Sequence, residues 1–209
     1  MVAGMDAPVS TAAPADAGAN WAQALIEARQ TILPKRLAAP GPRGDELHRI
    51  LAAAGHAPDH DRLLPWRFIL VSDSARERLA DAFAQSLLER DASASAEQVQ
   101  QARDKAHRAP VLMLAVARLE GDAQVPDAER ILSAGCAIQN LMLMATALGY
   151  GSALTSGKAL HSPGFRGLFG LGDNERALCF VSIGTPTARK PRRERPPPEA
   201  YVTELKGSP

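Results

Sequence analysis

Residues Ile131 to Gly157 read ILSAGCAIQNLMLMATALGYGSALTSG, twenty-seven positions without one charged side chain. A membrane-spanning helix needs roughly 20 consecutive apolar residues. Here Ser133, Gly135, Gln139, Asn140 and Thr146 interrupt the run, and Gly149-Tyr150-Gly151 ends it. A helix that is apolar nearly all round lies either in lipid or deep in a protein core. The interruptions favour the core, and the small residues Ala134, Gly135 and Ala137 permit close packing. Burying such a helix on every side within a chain of 209 residues calls for a second subunit over part of it.

Outward from that helix the chain alternates helical and strand patterns. Trp21, Leu25 and Ala28 predict a helix from Trp21 to about Gln30, capped by Asn20 and ended by Pro34. Gly44 to Ala54 repeats the helical spacing, with Asp45 in the first turn. Pro65 to Asp73 (PWRFILVSD) reads as a strand, Ser74 to Arg90 as an amphipathic helix and Ala96 to His107 as a second charged helix. Val111 to Ala117 (VLMLAVA) is a short apolar run after Pro110, the pattern of a buried strand, and Leu178 to Pro186 is another.

Bulk composition narrows the function classes. Apolar residues make up 45 % and charged residues 22 %, which fits one soluble globular domain. The net charge of +1 gives no general pull toward nucleic acid or anionic membrane. Two cysteines, Cys136 and Cys179, are too few for a disulfide scaffold or a four-cysteine zinc site, and a reducing cytoplasm suits them. Residues 1–19 lack a basic start and a sustained apolar run, so they read as a disordered leader before a domain spanning 20–209. No G-x-S-x-G, P-loop or G-x-G-x-x-G motif occurs.

Three places carry chemistry-bearing residues. Gly55 to Leu70 (GHAPDHDRLLPWRFIL) holds two histidines, acids and a tryptophan. His56 and His60 are four apart, but Pro58 between them breaks the helical geometry of a zinc pair; a loop site of His56, Asp59 and His60 stays open as an alternative to a plain surface turn. Ala28 to Leu37 (ARQTILPKRL) supplies Arg29 and Thr31, a forked cation and a hydroxyl suited to phosphate, or else a solvated helix end. The basic tail with Arg189, Lys190, Arg192, Arg193 and Arg195 is either solvated or an anion clamp.

In order along the chain stand RQT (29–31), RLAAPGP (36–42), HAPDH (56–60), PWRF (65–68), VP (125–126), SAGCAIQNLMLMATALGYG (133–151), SALTSG (152–157) and SIGTP (182–186). This series resembles the FMN-dependent nitroreductase superfamily, and its small YdjA-like branch most of all. The likeness covers Trp21 to about Tyr201, and APDH followed by PWRF and SAGCA is its specific part.

The resemblance implies an α+β fold, a three-layer α/β/α arrangement with a central, mainly antiparallel sheet, in an intertwined homodimer. It implies FMN as cofactor and NAD(P)H as co-substrate, with hydride passed through the flavin to a small-molecule acceptor such as a nitroaromatic or quinone. No protein side chain is then catalytic, no metal is needed, and neither nucleic acid nor membrane is a partner. Arg29, Gln30 and Thr31 match the phosphate-gripping motif; Gln30 stands where that motif has a second arginine, which shifts the task to Arg29 or to a tail residue such as Arg193. His56 and His60 match flavin contacts, the former position usually being arginine. Leu154, Thr155 and Ser156 match a flavin-contacting Trp-Arg-Ser segment that has lost its arginine, and Met144 matches a nicotinamide contact. The alternatives are a non-catalytic flavin-binding or sensor protein and a metal-dependent hydrolase built on His56, Asp59 and His60.

Overall fold

In the computed structural model, which describes residues 15–119, 124–189, 191 and 193–207, the sheet is organised around two strands with no solvent face. These are β3 (Val111–Arg118) and β5 (Glu175–Pro186), which run antiparallel. Successive side chains of a strand point to opposite faces. Met113, Ala115 and Ala117 therefore enter one core, and Leu112, Leu114 and Val116 enter the other. The apolar run read from the sequence is continuous because both faces are covered. β2 (Trp66–Leu70) pairs with the outer edge of β3, while β1 (Leu37–Ala38) and β4 (Gly151–Thr155) both pair with β5. All of these pairings are antiparallel.

Helices complete the layers. α2 (Gly44–Ala54) and α5 (Asp127–Ala147) pack on one face through Ile50, Ala134, Ala137 and Leu141. α3 (Arg76–Leu88), α4 (Ala96–Arg103) and α6 (Pro163–Leu168) lie on the other side, where Leu79, Phe165 and Phe180 share a core. This is the expected three-layer α+β arrangement with a mainly antiparallel sheet. A bulge falls between Ala115 and Val116, whose partners are Cys179 and Ala177. The extra residue, Leu178, reverses the alternation of β5, so Ala177 and Phe180 reach the same core although they are three apart.

Some boundaries differ from expectation. α1 spans Ala15–Ala28, so Asn20 lies inside it and not at its cap, and part of the expected leader is helical; residues 1–14 lie outside the described residues. The helix ends well before Pro34, which instead opens a 3-10 turn, Pro34–Arg36. The second charged helix is capped at Ser95 by a reciprocal bond with Gln98, and its last turn tightens to a 3-10 turn at Asp104–His107.

The charge-free run becomes α5, a turn and β4. Among the described residues no helix is long and apolar enough to cross a membrane. Gly149 turns the chain with φ of 87°. Gly151 allows the segment after α1 to approach: a Cβ there would stand 2.9 Å from both Ile32 Cγ1 and Leu37 Cδ2. Across this gap the Ile32 amide donates to the Ser152 carbonyl at 2.9 Å, and Thr31 bridges Ser152 in parallel fashion.

Arg67, on β2, reaches over β3 to Glu175 at the start of β5. Its Nε donates to Oε1 at 2.6 Å and its Nη2 to Oε2 at 2.7 Å. Arg67 thereby serves the sheet, and its bond holds the Glu175 carboxyl below the usual carboxylate range. With a folded value below the unfolded one, this stabilisation is present above the unfolded value and is lost as pH falls through the folded value. Glu175→Gln should lower unfolding stability by about 1–2 kcal/mol at pH 7, a figure kept small by the partial exposure of Arg67. In urea titrations the gap between the two proteins should close below pH 4; an equal gap at pH 3 would contradict this role.

Candidate functional site

The chain leaves α1 at Arg29 and runs onto β4, tethered at Ile32. Arg29, Gln30, Thr31 and Leu33 form one wall of a groove of about 450 Å³; Pro191, Arg193 and Arg195 of the tail form the other, with Glu27 at the rim. Three guanidinium groups and a hydroxyl thus converge from two parts of the chain. Guanidinium donors match the oxygens of a phosphate in pairs. Arg193 stands where the sequence reading placed a compensating tail cation, and Arg195, read there only as part of a basic tail, joins it.

A second cavity, of about 520 Å³, is lined by Pro34, the residue after Leu33. It lies over β3 and β5 on the side of α3 and α4. Phe83, Leu87, Leu112 and Phe180 form an apolar floor, and Thr155, Ser156 and Gly157 form one edge. Leu154 lies beside them on β4, exposed. Arg90, Lys105, Arg108 and Lys158 ring the opening. The Lys105 amine lies 5.9 Å from the centre of the Phe83 ring. Burial, then the nearby Arg108 and Arg90, hold its titration below the ordinary lysine value. The sequence reading missed these four cations. They come from three separate segments, none of which has a motif, so no local spacing marks them.

The histidines lie elsewhere. After α2, the chain makes a 3-10 turn at His60–Arg62, with left-handed backbone at Asp61, Arg62 and Leu64 (φ 55°, 57° and 46°). Such conformations are uncommon without glycine and gather at functional loops. The Leu64 amide donates to Asp59 Oδ2 at 2.9 Å, which closes the loop. His60 Nδ1 lies 2.7 Å from Glu129 Oε1, in the first turn of α5. That hydrogen bond and charge, with Asp61 adding to them, raise the His60 value above that of a free imidazole. His56 is exposed and shares a shallow groove on α2 and α5 with Met144 and Asn140. Neither histidine nor Met144 lines the two cavities that hold Arg29 and Ser156. Among the described residues no group of three His, Cys, Asp or Glu side chains is placed to hold a metal ion. Burial pushes the Cys179 thiol up to about 11, which leaves it unreactive.

The outer side of α5 continues this surface. Leu132 is 68 % exposed, and Cys136, Leu143 and Met144 lie along the same side, half covered. Where the sequence led to a helix buried on every side, a single chain buries one side and leaves an apolar, uncharged face open.

The nitroreductase family model matches residues 26–185. The chain is 34 % identical over 169 residues to a protein provisionally named NAD(P)H nitroreductase YdjA of Escherichia coli K12, covering 80 % of this chain and 91 % of that one. Its fold matches the crystal structure of a nitroreductase-like family protein from Bacillus cereus with a TM-score of 0.77 at 22 % identity, over 95 % of this chain and all of that one. It also matches the FMN-dependent nitroreductase NfnB from Mycobacterium smegmatis, solved in complex with NADPH, with a TM-score of 0.69 at 19 % identity over 90 % of this chain and 99 % of that one. By the extent of the family match and the identity to relatives over most of its length, the chain belongs to the nitroreductase family, a family of oxidoreductases.

Proposed function

We propose that this protein is a cytoplasmic FMN-dependent oxidoreductase that passes a hydride from NAD(P)H, by way of bound flavin, to a small acceptor such as a nitroaromatic or quinone. The observation that carries the reading is that consecutive residues, Leu33 and Pro34, line a cationic groove and a second, apolar-floored pocket respectively. A cationic groove next to an apolar pocket with a polar edge suits a ligand with a phosphate at one end and a flat ring at the other. Arg29, Thr31, Arg193 and Arg195 would hold the phosphate, with Gln30 beside them, and Thr155 and Ser156 would bond the ring edge next to Leu154. Arg195 offers a guanidinium in place of the one Gln30 lacks, and Lys105 and Lys158 offer charge in the pocket lined by Thr155. FMN, when bound, supplies the two-electron step, and the protein supplies position and electrostatics. For a nitro acceptor the balance is R–NO2 + NAD(P)H + H+ → R–NO + NAD(P)+ + H2O. No triad or acid pair is required of the chain.

The open face of α5 is the second support. An apolar, charge-free helix side suits a second copy of the same chain. In such a homodimer His56, His60 and Met144 of one protomer would face the flavin held by Arg29 of the other. A protonated His60, favoured by Glu129, would then place positive charge near the reduced flavin.

Purified protein should be yellow and should bleach on adding NAD(P)H under anaerobic conditions. Arg29→Ala should weaken FMN binding roughly 10- to 100-fold, the scale of a lost charge-assisted hydrogen bond. A titration of flavin fluorescence with apoprotein checks this, and an unchanged affinity would remove Arg29 from the site. Leu132→Glu places a charge on the open face without touching the core. In sedimentation the unmodified protein should be a dimer and the variant a folded monomer, with a circular dichroism spectrum like that of the parent; a monomeric parent would end the homodimer reading.

A further inference from the structure

The four cations around the pocket over β3 and β5 exceed what a neutral ligand needs. Among the described residues, none of those lining this pocket is acidic, and Arg90, Lys105, Arg108 and Lys158 form no ion pair. Arg90 uses Nε on the Ser86 carbonyl of its own helix, and Arg108 makes only a long contact, 3.4 Å, to the Gln101 carbonyl. By contrast Arg103, one turn away on the outer side, is held by Asp81 and Glu77. Cations gathered without carboxylates repel one another, and the depressed Lys105 reflects Arg108 and Arg90 as well as burial. A fixed positive field of this kind attracts an anion and is relieved by it. Beneath the cations, Phe83 and Phe180 lie 5.7 Å apart and offer aromatic surface. The flavin phosphate has its own cations in the neighbouring groove.

We propose that the pocket selects aromatic acceptors that carry a carboxylate or similar anionic group, which Arg90 and Arg108 hold beside the place given above to the flavin ring. This rests on the FMN reading above and names the acceptor class of that same site.

The test compares two acceptors of the same shape, 4-nitrobenzoate and 4-nitrobenzamide, on the flavin-loaded protein. Redox-inert benzoate and benzamide are titrated alongside by calorimetry. The anionic member of each pair should be preferred, by kcat/KM and by affinity, and the preference should shrink as salt screens the field. Arg90→Gln and Arg108→Gln should each reduce benzoate affinity and the kcat/KM for nitrobenzoate by roughly fivefold, the upper range for an exposed charge pair. FMN content and the values for the neutral members should stay unchanged. Arg78→Gln, a cation on α3 outside this pocket, should alter neither pair. Equal handling of anionic and neutral ligands by flavin-loaded protein overturns the proposal and leaves the FMN reading intact. So does a loss confined to the KM for NADPH, which assigns the cations to the dinucleotide. A protein that takes up no FMN brings down both.

Discussion

Everything in this fold depends on covering a helix that carries no charge beyond its first turn. α5 buries Ala134, Ala137, Leu141 and Ala145 against β3, β5 and α2. Each large apolar side chain so buried contributes about 1.5–3 kcal/mol. Because that helix closes one face of the sheet, β3 and β5 are buried on both sides once α3 and α6 close the other. The same lack of charge continues around the helix to Leu132 and Met144, which the single chain leaves uncovered. Layering inside the chain answers one part of this requirement, and the proposed homodimer would answer the other.

The end of the charge-free run also sets up the site. Gly151 brings Ile32 and Leu37 against β4, and the Ile32–Ser152 hydrogen bond fixes the segment that carries Arg29 and Thr31. That junction holds together the segment that lines the cationic groove and the strand that leads to Thr155 and Ser156 of the second pocket. On the α2 and α5 side the His56–His60 loop is held by Asp59 and Glu129 and lines neither cavity of its own chain. A site that uses both halves is made by two chains.

The sequence carried the fold through patterns that are local. The continuous apolar run of β3, the helical spacing of α2 and α3 and the glycines around Tyr150 are each written in consecutive residues. Arg29-Gln30-Thr31 was legible for the same reason, and a tail cation was legible from composition. Helix ends were less so: α1 runs through Asn20, because the alanine-rich sequence there continues a helix past the residue read as its cap. The pocket cations were not legible at all. Arg90, Lys105, Arg108 and Lys158 look like ordinary surface charges in their own segments, and only the crossing of α3, α4 and β4 over the sheet gathers them. The Arg67–Glu175 pair, 108 residues apart, was hidden likewise.

The central claim is that one chain's phosphate groove is completed by the histidine loop of a second. Mixing subunits tests it directly. Arg29→Ala and His60→Ala homodimers, each weakened in FMN affinity, are unfolded together, refolded and separated by distinct tags to isolate the hybrid. If the groove and the loop that serve one flavin come from different chains, the hybrid has one site with both defects and one with neither. It should then bind one FMN per dimer with the affinity of the unmodified protein. A hybrid whose two sites are both weakened, as in its parents, would mean that Arg29 and His60 of the same chain serve the same flavin, and would contradict the account.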